Sequence, residues 1–232
     1  MMDDRELMRA HIDALFTCDD GGDLVRVNEP NGAPAPRFFL GMTAAGVVWR
    51  FRHDVDAVLR RDIDAAIHED VTPGPPTDAV SAARFERILA GAEPVRHTET
   101  GPAFFFPPSL PTSFAGAVRI IEANADLLTP FLEPWLPDVQ ASQPLVALVS
   151  DGHAVAICAS VRQTPVAYEA GVETHPTYRR RGYAAAVAAG WAQAVREIDR
   201  IPLYSTSWEN AASRAVARKL GLICFGSDLH IT

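Results

Sequence analysis

Between Val172 and Ala185 the sequence reads V-E-T-H-P-T-Y-R-R-R-G-Y-A-A: a strand pattern, a loop with three consecutive arginines, a glycine, and the start of an alanine-rich helical stretch. The first turn of a helix carries backbone N–H groups without intrahelical partners and lies at the positive end of the helix dipole. Gly182 has no side chain to hold an anion away from those amides, and Tyr183 is followed by Ala184 and Ala185, which leave the turn open. Arg179, Arg180 and Arg181 add positive charge at the same place. Residues of these types in this order make a cradle for an anion of pyrophosphate size. Two familiar phosphate motifs do not fit. A P-loop requires G-x-x-x-x-G-K-[ST], and the sole lysine, Lys219, lies in no such run; a dinucleotide fingerprint requires three spaced glycines, and Gly182 stands alone.

The pattern around this stretch predicts the elements that must position it. Val166–Thr174 reads as a strand and Ala184–Ile198 as a long helix, with Val187, Trp191, Val195 and Ile198 on one stripe. Before them, Pro144–Ser150 and Ala154–Val161 flank an Asp151-Gly152 hairpin turn, and Val118–Ala123 forms another strand. Asn124 is placed to cap a helix carrying Leu127, Leu128, Phe131, Leu132 and Trp135, disturbed by Pro130 and Pro134. Pro202–Ser207 is a strand, Asn210 caps a helix closing at Gly221, and Leu222–Ile231 returns as strand. In the first half a helix is expected over Glu6–Phe16, a hairpin from Arg37–Met42 and Val47–Arg52, and a helix capped by Asp54 with Val55, Val58, Leu59, Ile63 and Ile67 inward. A further helix is expected from Asp78 to Ala90, then a Pro/Gly-rich crossover, Gly91–Phe114, holding one short buried strand at Phe104–Phe106. The order predicts a mixed-sheet α/β fold in two parts, residues 1–112 and 113–232, the first a smaller α/β domain without a catalytic motif.

Composition narrows the classes. With 232 residues, 48% hydrophobic and 22% charged, the chain is an ordinary globular protein and excludes collagen, disordered tails and disulfide scaffolds. A formal charge of −8 opposes binding to nucleic acid or anionic lipid. Cys18, Cys158 and Cys224 are widely spaced, with no CxxC pair, which points to free thiols and no metal site. The acidic, charge-broken start is no secretory signal, and the stretch from Ala184 to Val195 is too short to span a bilayer, so a cytoplasmic location is expected.

The residues already quoted resemble the GNAT superfamily of acyl-coenzyme-A-dependent N-acetyltransferases. Its signature [QR]-x-x-G-x-[GA] is matched by Arg179, Gly182 and Ala184, after Thr174-His175-Pro176-Thr177-Tyr178, which resembles the family's strand-end V-x-P-x-y. Downstream, Asn210, Ser213 and Lys219-Leu220-Gly221-Leu222 are similar to the second family segment. The resemblance covers roughly residues 115–232 and marks the first half as an extra N-terminal domain. It implies acetyl-CoA as co-substrate and direct acetyl transfer to the amine of a small molecule or peptide. It also implies that backbone groups of Val172, Glu173 and Thr174 pair with the pantetheine arm, amides from Arg180 to Ala185 hold the pyrophosphate, and Asn210 and Ser213 contact the cofactor. Asn210 is equally a plain N-cap, and the two roles are compatible.

Acetyl transfer requires the amine to lose a proton held with a pKa of about 10, so a carboxylate or a water it orients must act as base. Glu173, and second to it Glu169, occupy the strand expected to line the cleft, on one face if pairing is regular. The family's usual tyrosine acid, four residues before the glycine of the last helix, is replaced here by Ala217. Tyr168, Tyr183 or Tyr204 is then the substitute, or the thiolate leaves without a donor. That departure also leaves open a non-catalytic acyl-CoA-sensing module. His175 and His230 are assigned no role.

Overall fold

The computed structural model describes residues 2–77, 81–110 and 116–232. In chain order the elements are α1 (Asp4–Leu15), β1 (Phe16–Cys18), β2 (Leu24–Val27), β3 (Phe38–Thr43), β4 (Gly46–Phe51), α2 (Ala57–Asp70), α3 (Ala83–Ala90), β5 (Thr98–Phe105) and β6 (Ala117–Ile120). Two 3-10 segments follow, Glu122–Leu128 and Glu133–Asp138, then β7 (Leu145–Ser150), β8 (His153–Gln163), β9 (Ala167–Thr174), α4 (Tyr183–Arg196), β10 (Ile201–Ser205), α5 (Ala211–Leu220) and β11 (Ile223–Ile231).

The chain divides into two compact units. One comprises Met1–Phe104, Ser205–Asn210 and Cys224–Thr232; the other comprises Phe105–Tyr204 and Ala211–Ile223. The expected division at 112/113 falls outside the described residues. Most of β11, expected with the C-terminal part, lies in the first unit, because it pairs antiparallel with β3 from Ser227↔Met42 to Ile231↔Phe38.

In the first unit the strand order is β4-β3-β11-β5, with β1 and β2 as a separate hairpin. The register Phe38↔Phe51 and Phe38↔Ile231 puts three apolar side chains side by side on one face. There Phe38, Leu40, Ile63, Ile67, Phe85 and Leu89 form the core. Each such side chain contributes about 1.5–3 kcal/mol when buried. At α1, Asp3 accepts from the Glu6 amide at 2.8 Å while Glu6 accepts from the Asp3 amide at 2.9 Å, a reciprocal capping box. Helix α2 starts later than its sequence pattern predicts. Asp56, not Asp54, accepts from the Val58 amide, Asp54 instead takes the Arg52 guanidinium at 2.7 Å, and Val58 is exposed. Helix α3 is described from Ala83, and the expected start at Asp78 falls outside the described residues.

In the second unit the order is β10-β9-β8-β7-β6, antiparallel except for the parallel β9/β10 pair. Helix α4 buries Ala185–Ala189, Trp191, Ala192, Ala194 and Val195, and the Trp191 indole donates to Ser160 Oγ at 3.0 Å, fixing the helix on one face of the sheet. The other face carries Leu128, Leu132, Val139, Leu145 and Ile157, with Phe131 and Trp135 packed against them. The helix expected after Asn124 is absent. Asn124 Oδ1 accepts from the Ile121 amide at 2.7 Å, its own backbone is non-helical, and Pro130, Pro134 and Pro137 limit the chain to 3-10 turns.

Candidate functional site

Strand β9 is hydrogen-bonded to β8 from Tyr168 to Thr174 but pairs with β10 only over Ala167↔Ile201, Tyr168↔Pro202 and Glu169↔Leu203. Beyond Glu169 the register with β10 ends, so Ala170–Thr174 carry an edge facing away from β8. Main-chain groups on such an edge pair with an extended ligand as they would with another strand. Val172 lies on it with accessible surface, whereas the main chain of Glu173, expected there too, faces β8. The His175 N–H donates to Val155 O, so residues 173 and 175 turn their main-chain groups to β8 while 172 and 174 turn theirs outward. The Thr174 carbonyl, expected to pair with the same ligand, already accepts from Arg179 Nε at 3.1 Å.

After Thr174 come a 3-10 turn, Pro176–Tyr178, and then α4, whose start is built by Gly182 in the left-handed region at φ 84°. No side chain caps this end. The amides of Tyr183, Ala184 and Ala185 therefore present the free N–H groups and roughly half a positive charge that a helix start carries. The loop is held from both sides: Arg179 is tied to Thr174, and the Arg181 guanidinium lies 5.2 Å from the Tyr178 ring centroid. Arg180 adopts φ 61°, a conformation costing a non-glycine residue about 1–2 kcal/mol. All three arginines are exposed.

One cation at this site escaped the sequence reading. A methyl group built on Gly182 would run into Lys219 Nζ, so the lysine head lies directly over the glycine. Lys219 sits in the last turn of α5, 37 residues downstream, and belongs to no P-loop run. Its being the chain's sole lysine was the available signal.

The two glutamates separate. The β8/β9 irregularity inserts Val161 into β8, leaving β9 regular, so Glu169 and Glu173 share a face. Glu169 is only 2% exposed, whereas Glu173 is exposed and accepts a hydrogen bond from Trp135 Nε1 at 2.6 Å. Trp135 was expected to contribute only core packing. Glu173 lies opposite Ile157, on the face away from α4. Nearby in the fold of this unit, His175 packs 4.6 Å from Phe131, with Tyr178 5.7 Å from the same ring. His175 Nδ1 is buried without a hydrogen-bond partner.

Of the tyrosines, Tyr204 is buried and its hydroxyl lies 2.6 Å from Ser213 Oγ. Burial raises its pKa above the ordinary phenol value, against the opposing Ser213 hydrogen bond, and keeps the proton on through neutral pH. Ser213, expected at the cofactor, is thus engaged by Tyr204. Tyr183 and Tyr168 are half-buried. Ala217 is buried, filling the inner side of α5 where the family's acid was expected. Asn210 is exposed immediately before α5, in the first unit. His230, also in the first unit, lies against Phe39 and 3.2 Å from Asp228.

Among the described residues no cluster of three or more His, Cys, Asp or Glu could hold a metal, and no helix is long and apolar enough to cross a membrane. Residues 146–225 match the family model of the GNAT acetyltransferases. No curated protein matches the chain. Among solved structures, a GCN5-related N-acetyltransferase from Kribbella flavida is 16% identical over 99% of this chain and 95% of its own, with a TM-score of 0.50. A GNAT-family acetyltransferase from Colwellia psychrerythraea is 12% identical over 98% and 94%, with a TM-score of 0.49. A GNAT-family structure from Novosphingobium aromaticivorans is 18% identical, with a TM-score of 0.49. The last match takes in 59% of this chain and 65% of that one, just under two thirds of its length. The mixed α/β fold is that of the GNAT acetyltransferases.

Proposed function

We propose that this protein transfers an acetyl group from acetyl-CoA directly to an amine of a small molecule or peptide. The observation that carries the reading is the β9 edge, running past its register with β10, followed at once by the uncapped start of α4 with Gly182 left-handed beneath Lys219. A strand-like pantetheine arm and a diphosphate need those two features in that order. Val172 would pair with the arm through its main chain. The amides of Tyr183, Ala184 and Ala185, with Arg180 and Lys219, would hold the diphosphate. Bound acetyl-CoA supplies an acyl group activated as a thioester.

Glu173 takes the amine proton, directly or through a water, and Trp135 keeps its carboxylate in place. A main-chain N–H on the free β9 edge receives the negative charge that develops on the carbonyl oxygen. Tyr204 is the substitute for the missing acid, because its proton is retained at neutral pH and its hydroxyl is fixed by Ser213. The three free cysteines favour a reducing, cytoplasmic setting for this reaction. A second reading rests on Ala217: a domain that binds acyl-CoA without turnover.

Calorimetric titration of acetyl-CoA into the full chain tests the site. Saturable binding that weakens at least tenfold in Arg180→Ala/Arg181→Ala supports it, and no heat with the native chain overturns it. Thiol release across a panel of amines separates the enzyme from the sensor, which binds and releases none.

A further inference from the structure

The first unit holds a cavity of about 730 Å³ that no part of the transferase reading uses. That volume is in the range of small-molecule sites. Its walls are tied by main-chain bonds: Ala35 N to Val25 O at 3.2 Å, His53 N to Leu24 O at 3.0 Å, and Arg96 N to Thr232 O at 2.7 Å. The cavity is therefore formed before anything enters it.

Its charge runs against that of the chain. Arg26, Arg37, Arg52 and Arg96 line it together with Asp54 and Glu93, an excess of two positive side-chain charges in a protein of net −8. Asp54 is spent on Arg52 at 2.7 Å. Arg26 and Arg96 are exposed and make no ion pair among the described residues.

Arg37 is the decisive residue. It is 6% exposed, and both terminal nitrogens donate to the Glu93 carbonyl at 3.2 Å, yet its Nε is buried with no partner. Among the described residues this guanidinium hydrogen-bonds only to a neutral carbonyl, a costly state, since buried charges are normally hydrogen-bonded to an opposite charge. Burial lowers the Arg37 pKa, Glu93 opposes this, and Arg52 lowers it further. The rest of the lining is Val25, Ala33, Pro34 and Pro94, an apolar wall, with His53 and Thr232.

We propose that this cavity binds a small molecule through a carboxylate or phosphate group, with Arg37, Arg96 and Arg26 as the recognising guanidiniums and the apolar wall taking the body of the ligand. The planar guanidinium fork matches either oxyanion. The inference is independent of acetyl transfer and assigns the N-terminal unit a ligand of its own.

The experiment titrates the full chain with succinate and, separately, with inorganic phosphate at constant ionic strength. It follows heat and the side-chain Nε–H signal of Arg37 by NMR. Arg96→Ala and Arg26→Ala change exposed residues, so folding is not at issue; Arg180→Ala/Arg181→Ala weakens the competing anion cradle. Saturable binding that moves the Arg37 signal, weakens about tenfold in Arg96→Ala and persists in Arg180→Ala/Arg181→Ala supports the proposal. Succinate alone would identify a carboxylate ligand, phosphate alone a phosphate, and both an oxyanion site open to either. Binding of neither probe, binding indifferent to Arg96→Ala, or binding lost with Arg180 and Arg181 overturns it.

Discussion

Replacing Gly182 by alanine perturbs the diphosphate cradle in two separable ways. At φ 84° a Cβ is strained wherever it points, costing about 1–2 kcal/mol of stability. For a chain of this size each kcal/mol moves Tm by about 2–4 °C, so the variant should melt roughly 2–8 °C lower. The same Cβ collides with Lys219 Nζ, the far end of a flexible side chain, which can swing away at small cost. The lysine then leaves the diphosphate, removing one charge-assisted contact worth about 1.5–3 kcal/mol, or about 10- to 150-fold in affinity. Lys219→Ala isolates the second effect: acetyl-CoA binding should weaken by a similar factor with Tm little changed. Because the methyl acts on affinity largely by displacing the lysine, the double variant should bind only slightly worse than either single one. Calorimetric titration with parallel thermal melts measures all four proteins. Native affinity in Gly182→Ala, or additive losses in the double variant, would refute the geometry on which the cradle rests.

Glu173→Gln keeps an acceptor for the Trp135 indole but cannot take a proton, so kcat should fall about 10²-fold with acetyl-CoA affinity unchanged; equal turnover in steady-state kinetics would remove Glu173 as base. Tyr204→Phe deletes the hydroxyl 2.6 Å from Ser213 Oγ and should cost about 1 kcal/mol in stability, and at least tenfold in kcat if Tyr204 protonates the leaving thiolate. A melting change without a kinetic one would confine it to structure. The third expectation concerns the buried Asp228, which lies 3.0 Å from His11 and 3.2 Å from His230. Burial alone would raise its pKa, but His230 and His11 more than reverse this and hold the carboxyl well below its ordinary range. Its stabilisation is therefore full above the unfolded value of about 3.9 and drains away as pH falls below it. Melting curves from pH 7 to pH 2 should show that loss, and Asp228→Asn should melt lower at pH 7 with a flatter acid limb; an unchanged acid limb would contradict the assignment.

Local chemistry alone determined much of this protein. The Asp151-Gly152 turn, the alternation in β3 and β4, the alanine-rich stripe of α4, and the arginines before Gly182 are short-range patterns, and the elements and the left-handed helix start follow from them. The choice between Glu173 and Glu169 was not local. Both lie on one face of β9, and only packing decides that one is buried while the other is exposed and held by a tryptophan 38 residues away. Lys219 reaches Gly182 through the docking of α5, and β11 joins the first unit through its pairing with β3, contacts with no short-range signature. Conversely, the prolines after Asn124 are visible in the sequence, yet their summed effect on one turn of helix depends on how the segment packs over the sheet. Sequence patterns record which backbone conformations are cheap. Which charges and edges meet across the fold is settled by long-range burial, which no window of residues contains.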